Sequence, residues 1–180
     1  MKQRSYVVAL TLFALASLGI ARAQGNPPAK AEERIAREAR HELLMLPYYG
    51  VFDSIGFKVE GYNVTLVGQV VRPTTKSDAE NAVKHIEGVE KVDNKIEVLP
   101  PSPSDDRLRL VLYRAIYGYP ALEKYALGVQ KPIRIIVNNG HVTLEGVVDN
   151  ATDKNIAELR AKGVPGIFSV TNNLQVVSSK

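Results

Sequence analysis

Three histidines, no cysteine and two acidic doublets are what this chain offers to catalysis or to a metal. A structural or catalytic zinc asks for three or four nitrogen and sulfur donors converging on one point. His41, His85 and His141 share no spacing and there is no thiolate, so no metal ligand is assigned. Glu32-Glu33 and Asp105-Asp106 have the composition of a general acid–base pair. Each doublet, however, falls where a helix is expected to begin, and negative charge there favours the helix dipole and caps free amides. No phosphate-cradling glycine loop is present. These observations assign no catalytic residue, no cofactor and no small-molecule substrate, and they argue against an enzyme.

Binding chemistry is better provided for. A helix expected over 106–118 carries Leu108, Val111, Leu112, Ala115 and Ile116 at helical spacing, the stripe expected to be buried. Its far side then holds Leu110, Tyr113 and Tyr117, flanked by Arg109 and Arg114, and Tyr119, Lys124 and Tyr125 follow in the next loop. Tyrosine rings settle at headgroup depth in a membrane interface while cations meet anionic phosphate, each contributing about 1 kcal/mol. The same stripe also suits packing against the first half of the chain, since aromatics are enriched at interfaces, or a protein partner. The residues alone leave these three readings open.

These side chains are positioned by a duplicated unit. Residues 57–98 lie over 135–176 at a constant offset of 78 with no gap. NVTLVGQV at 63–70 answers to HVTLEGVV at 141–148, and Gly68/Gly146, Gly88/Gly166 and Asn94/Asn172 recur. Upstream the offset is 73, pairing Ile35 with Leu108 and Pro47 with Pro120, so the second copy holds 78 − 73 = 5 extra residues between Pro120 and Ile133. Each copy reads as helix, strand, strand, helix, strand. The first helices are expected at 32–46 and 106–118, the latter capped by Asp105 or Asp106, with Pro47 and Pro120 closing them. Alternating apolar residues predict strands at 133–137 and 142–148 around the Asn139-Gly140 turn, with Gly61 turning the first copy. Second helices are expected at 75–87 and 152–162, capped by Thr74 and Thr152, and last strands at 92–98 and 170–176. A glycine inside a strand costs stability, so Gly68 and Gly146 predict close approach of a helix or backbone. In the first copy's opening helix Ile35, Ala39, Leu43 and Leu46 make the buried stripe, and Arg37, Arg40, His41 and Leu44 face water.

At the start, the basic head Met1–Arg4, the apolar run Tyr6–Ile20 and Ala21-Arg22-Ala23 have the three parts of a secretory signal peptide. The run is shorter than the roughly 20 residues a bilayer span needs. Without Lys2, Arg4 and Arg22, the 23 basic and 19 acidic residues become 20 and 19, which removes the electrostatic case for nucleic acid. The expected organisation is a signal peptide at 1–23, a flexible leader at 24–31, units at 32–99 and 105–177, a Pro/Ser linker at 100–104 and a tail at 178–180.

The twice-repeated pattern V-x-x-x-x-V-T-L-x-G-x-V, a helix of about a dozen residues, then G-[VI]-x-x-V-x-N-x-[IL]-x-V, resembles the BON domain. That family takes its name from bacterial osmotically inducible and nodulation proteins. The resemblance implies an α+β fold of two tandem αββαβ units, each with two helices packed on a three-stranded mixed sheet. It further implies phospholipid binding at a membrane surface, a part in envelope integrity or osmotic and stress tolerance, and in some members chaperone-like behaviour. The recurrent Gly68, Gly146, Gly88, Gly166, Asn94 and Asn172 are structural, so the family pattern assigns no lipid-contacting residue. The expectation is a non-enzymatic periplasmic protein that meets anionic phospholipid through the second copy's first helix. The alternative is a soluble periplasmic stress chaperone or adaptor for envelope proteins.

Overall fold

The repeat becomes two αββαβ units in the computed structural model, which describes residues 29–177. The first unit runs α1 (Ala29–Leu44), β1 (Ser54–Glu60), β2 (Asn63–Val70), α2 (Pro73–Lys84) and β3 (Lys91–Val98). The second runs α3 (Pro103–Tyr117), a short 3-10 turn (Glu123–Ala126), β4 (Ile133–Asn138), β5 (His141–Val148), α4 (Ala151–Lys162), β6 (Ser169–Asn172) and β7 (Gln175–Val176). In the first sheet β2 is central, antiparallel to β1 and parallel to β3. In the second sheet β5 is central, antiparallel to β4 and parallel to β6 and β7. The fold is therefore α+β with mixed sheets, as expected. Helices cover one face of each sheet. Ile35, Ala39 and Leu43 of α1 and Ala79 and Val83 of α2 bury Val64, Leu66, Val70 and Ile96. Leu108, Leu112 and Ile116 do the same for Ile135, Val137 and Leu144. Leu46 is only partly buried, and Arg37, Arg40, His41 and Leu44 are exposed.

Element ends differ from expectation for local reasons. The α1 helix starts at Ala29, inside the stretch expected as flexible leader. For α3 the start is Pro103, whose fixed φ and missing N–H suit a first helical position. Ser102, not Asp105 or Asp106, is its N-cap, accepting from the Asp105 amide at 3.2 Å. The linker shortens accordingly. Similarly α2 starts at Pro73 after Arg72, which makes no side-chain cap, and Asn150 rather than Thr152 caps α4. The second copy's last strand is broken between Asn172 and Gln175. The expected signal peptide and the tail at 178–180 lie outside the described residues.

Three devices occur in both units. Nδ2 of Asn94 donates to the Lys76 carbonyl and to Glu80 at 3.0 Å each, while its Oδ1 accepts from the Ile96 amide. Asn172 repeats this with Lys154, Glu158 and Leu174. One side chain thus ties the last strand to the second helix. The acids at the first helices clasp the hairpin turn. Glu32 accepts from the Gly61 amide at 2.8 Å, and buried Asp105 accepts from the Asn139 and Gly140 amides at 2.8 and 2.9 Å. Finally, Gly68 and Gly146 sit at φ 123° and 113°, and a Cβ there would lie 2.1 Å from the Ser54 carbonyl oxygen and 1.9 Å from that of Pro132. The close neighbour is the adjoining strand's backbone, not a helix, because the positive φ turns the glycine toward it.

The units are joined along an edge. Between α1 and β1, the chain at Gly50–Asp53 lies against β4, where the Ile135 amide donates to the Val51 carbonyl at 2.8 Å. Arg134 donates to the Gly50 carbonyl and lies over the Tyr49 ring. Phe52 meets Tyr113 edge-on, and both Val51 and Phe52 pack on the second unit's core.

Replacing Asn172 with Ala removes a clamp and leaves the Leu174 amide without its side-chain acceptor, an expected loss of about 1–3 kcal/mol in urea unfolding. Gly146→Ala should be far worse, because backbone must move; a variant melting within a few degrees of wild type contradicts the strand contact.

Candidate functional site

A helix with apolar residues nearly all round can be rolled several ways, and α3 is rolled differently from expectation. Its buried face is Asp105, Leu108, Arg109, Leu112, Ile116 and Tyr117. Arg109, expected at a membrane interface, is 4% exposed. Its guanidinium donates to the Val137 carbonyl at 2.7 Å and to Asp106, which draws it toward the end of β4. Tyr117, also 4% exposed, donates to the Ile133 carbonyl at 2.6 Å and accepts from the Ile133 amide at 3.1 Å. Burial pushes its hydroxyl pKa well above the ordinary tyrosine value. Tyr113 is half-buried between Tyr117 and Phe52. The tyrosine stripe expected to face a membrane is core and inter-unit packing.

The loop residues divide the same way. Tyr125 is buried, accepting from the Asp149 amide at 2.8 Å and donating to Asp153 at 2.6 Å. Lys124 bridges Asp149 and Asp153 at 2.6 and 2.8 Å, which holds the 3-10 turn to the start of α4. Tyr119 stays at the surface, its ring 4.9 Å from the Arg160 guanidinium. Of the eight residues expected to bind lipid or a partner, Leu110, Arg114, Tyr119 and Lys124 remain exposed.

A different surface takes the place of the one expected. Arg107, Leu110, Val111 and Arg114 follow one another at helical spacing on the outer face of α3, all exposed. Val111 was expected in the buried stripe. At the offset of 73 the first unit has Arg34, Arg37, Glu38 and His41, a charged face on which Arg34 pairs with Glu38. Leu110 borders a hollow of about 330 Å³ between the units, lined also by Tyr48, Phe52, Val71 and Arg72. Tyr48 is exposed and held at φ 70°, and the Arg72 guanidinium lies 4.8 Å from its ring centroid. A non-glycine residue in the left-handed region is uncommon, and such strain concentrates at functional sites. The aromatic–arginine pairing expected on α3 is therefore made by two connecting segments of the first unit. No sequence periodicity joins Tyr48 to Arg72.

The charge on this surface is one-sided. Among the described residues Arg72, Arg107 and Arg114 make no ion pair, whereas Asp106 is paired with Arg109 and Asp53 accepts from the Gly50 and Val71 amides. A larger cleft of about 570 Å³ between α1 and α2 brings His41 and His85 together, beside Arg37, Glu38, Glu42 and Glu87. Its charges of both signs make it an ordinary wet groove. His141 lies in the other unit, against Ser169. Among the described residues no group of three or more His, Cys, Asp or Glu is placed to hold a metal, and no helix is long and apolar enough to cross a membrane.

The BON domain pattern matches residues 32–100 and 121–178. No curated protein matches the chain. Solved structures with some likeness include CdsD, a structural protein of the type III secretion system of Chlamydia trachomatis, at 15% identity over 80% of this chain and 93% of that one, with a TM-score of 0.28. The C-terminal domain of CdsD gives 15% identity over 78% and 96%, again at 0.28. At that score the likeness carries no argument.

The Lys124–Asp153 contact has a measurable pH signature. Burial alone would raise the Asp153 pKa, but hydrogen bonds from Lys124, Tyr125 and Asn150 bring it below the usual carboxylate value of 3.8. A carboxyl depressed by folding stabilises above its unfolded pKa and loses that contribution as pH falls through the folded one. Wild type should therefore weaken below about pH 4. Lys124→Met removes the largest of the contributions that oppose burial, leaving only Tyr125 and Asn150, and should move the onset of acid loss to higher pH, read from urea midpoints across a pH series.

Proposed function

Because the chain belongs to the BON domain family and carries two copies of the domain in tandem, we propose that it is a non-catalytic, exported protein of the bacterial periplasm that binds peripherally to anionic phospholipid, supporting envelope integrity under osmotic or other stress. The observation that carries this reading is the outer face of α3, where Leu110 and Val111 lie exposed between Arg107 and Arg114. Apolar side chains are costly to hold in water and mark contact surfaces. Unpaired arginines beside them suit a plane of phosphates, each contributing about 1 kcal/mol near such a surface. Two such contacts with two half-inserted aliphatic side chains amount to weak, reversible attachment, consistent with a chain that has no membrane-spanning helix among its described residues. Tyr48 and Arg72 across the hollow extend the same chemistry. The exposed apolar groups also suit a holdase or adaptor for envelope proteins, which would suppress client aggregation without lipid.

Co-sedimentation with vesicles separates the two. Wild type should bind phosphatidylglycerol-containing vesicles and not pure phosphatidylcholine, with binding falling as salt rises. Arg107→Glu with Arg114→Glu should weaken binding more than tenfold without lowering the melting temperature, since about 1 kcal/mol is lost per cation before repulsion is counted. Equal binding by the double variant, or none by wild type, removes the lipid assignment.

A further inference from the structure

The five residues by which the second unit exceeds the first end in a loop of unusual exposure. Leu127 is 84% and Val129 97% exposed. Aliphatic side chains so fully in water are not waiting for a core, because the loop is already braced from within. Lys131 Nζ donates to the carbonyls of Ala126 and Gly128, the latter at 2.7 Å, and ties the loop to itself. Gln130 reaches across the seam, donating to the Leu44 carbonyl at 2.9 Å and accepting from Arg134 at 3.2 Å. The polar side chains are spent on hydrogen bonds to the protein while the apolar ones stand free in water, the reverse of an ordinary surface loop.

The loop also continues an apolar line. Gln130 touches the end of α1, where Leu44 and Met45 are exposed, and three residues on Tyr48 borders the hollow with Leu110. Leu127, Val129, Met45, Tyr48 and Leu110 thus follow one seam between the units. Arg72 lines this seam, and Arg107 and Arg114 stand beside it on the outer face of α3; none of the three makes an ion pair among the described residues, and together they are complementary to an anionic sheet of headgroups.

We propose that the Leu127–Val129 loop is a membrane-inserting wedge, which passes below the headgroups while the arginines of the seam stay among the phosphates. The inference rests on the phospholipid reading above and adds a depth to it. The bracing by Lys131 and Gln130 fixes the loop before contact, so little ordering entropy is lost on insertion. A protein carrying both elements binds through two components that respond differently to salt. The arginine component is screened and the aliphatic one is not.

The chain has no cysteine, so a single introduced thiol reports alone. Val129→Cys labelled with an environment-sensitive dye should shift its emission to the blue on phosphatidylglycerol vesicles and be quenched by acyl-chain nitroxides. The same dye on Lys95→Cys, on the open face of the first sheet, should do neither. Leu127→Ser with Val129→Ser should keep the wild-type melting temperature, weaken vesicle binding at least about tenfold, and lose the salt-resistant part. If labelled protein sediments with vesicles while position 129 stays in water, the wedge is overturned and the surface reading stands. If nothing sediments, both fall. If position 129 becomes dry without lipid and the protein sediments as a dimer, the loop meets a second copy and the wedge is overturned.

Discussion

One backbone hydrogen bond, from the Ile135 amide to the Val51 carbonyl, sets where the two units meet. β4 is an edge strand, and an uncovered edge invites pairing with another chain. Here the connection between α1 and β1 covers it from within the molecule. Everything along the seam follows from that placement. Arg134 comes over Tyr49, Phe52 reaches Tyr113, and Tyr48 is left facing Leu110 across a hollow. The half-burial of Tyr113 belongs to this contact with the first unit, whereas Tyr117 is covered by its own strand.

The two copies share their internal locks and differ in what they show outside. Asn94 and Asn172 perform the same task, as do Glu32 and Asp105 at the hairpin turns. At one point the copies solve a common problem with different chemistry. The amide after β2, at Val71, donates to the Asp53 carboxylate, while its counterpart at Asp149 donates to the Tyr125 hydroxyl. The phenol fills space in the second core that the first unit leaves to other groups. On the outside, arginine is kept at Arg34 and Arg107, while three helix positions change from Arg37, Glu38 and His41 to Leu110, Val111 and Arg114. The scaffold is held in common, and one helix face is where the copies part.

Much of the scaffold was legible because it repeats. The constant offset exposed the order of elements, the hairpin turns and the glycines, and the family pattern followed from these. The roll of α3 was not legible. Leu108, Leu110, Val111, Leu112, Tyr113, Ala115, Ile116 and Tyr117 leave no clear polar side, and the phase is set by the Val137 carbonyl, 28 residues away, accepting from Arg109. The first unit held a usable signal: Ile35, Ala39 and Leu43 map at the offset of 73 onto Leu108, Leu112 and Ile116, without Val111. Prolines at 73 and 103 begin their helices two and three residues ahead of the starts that periodicity predicts. The Tyr48–Arg72 pair joins two connecting segments, and no periodicity reports on it.

The borrowed segment around Val51 also bears on how the polypeptide can be divided. Pro100 and Pro101 look like the natural place to cut, yet a fragment beginning there would lack Val51 and Phe52, leaving a gap in its interior and a bare strand margin. During synthesis the order is reversed. The lending segment leaves the ribosome more than eighty residues before the strand that receives it, so Phe52 is committed to a neighbour that does not yet exist. No single cut spares both halves: one at Pro100 strips Val51 and Phe52 from the second unit, and one upstream of Tyr49 strips Ile35, Ala39 and Leu43 from the first.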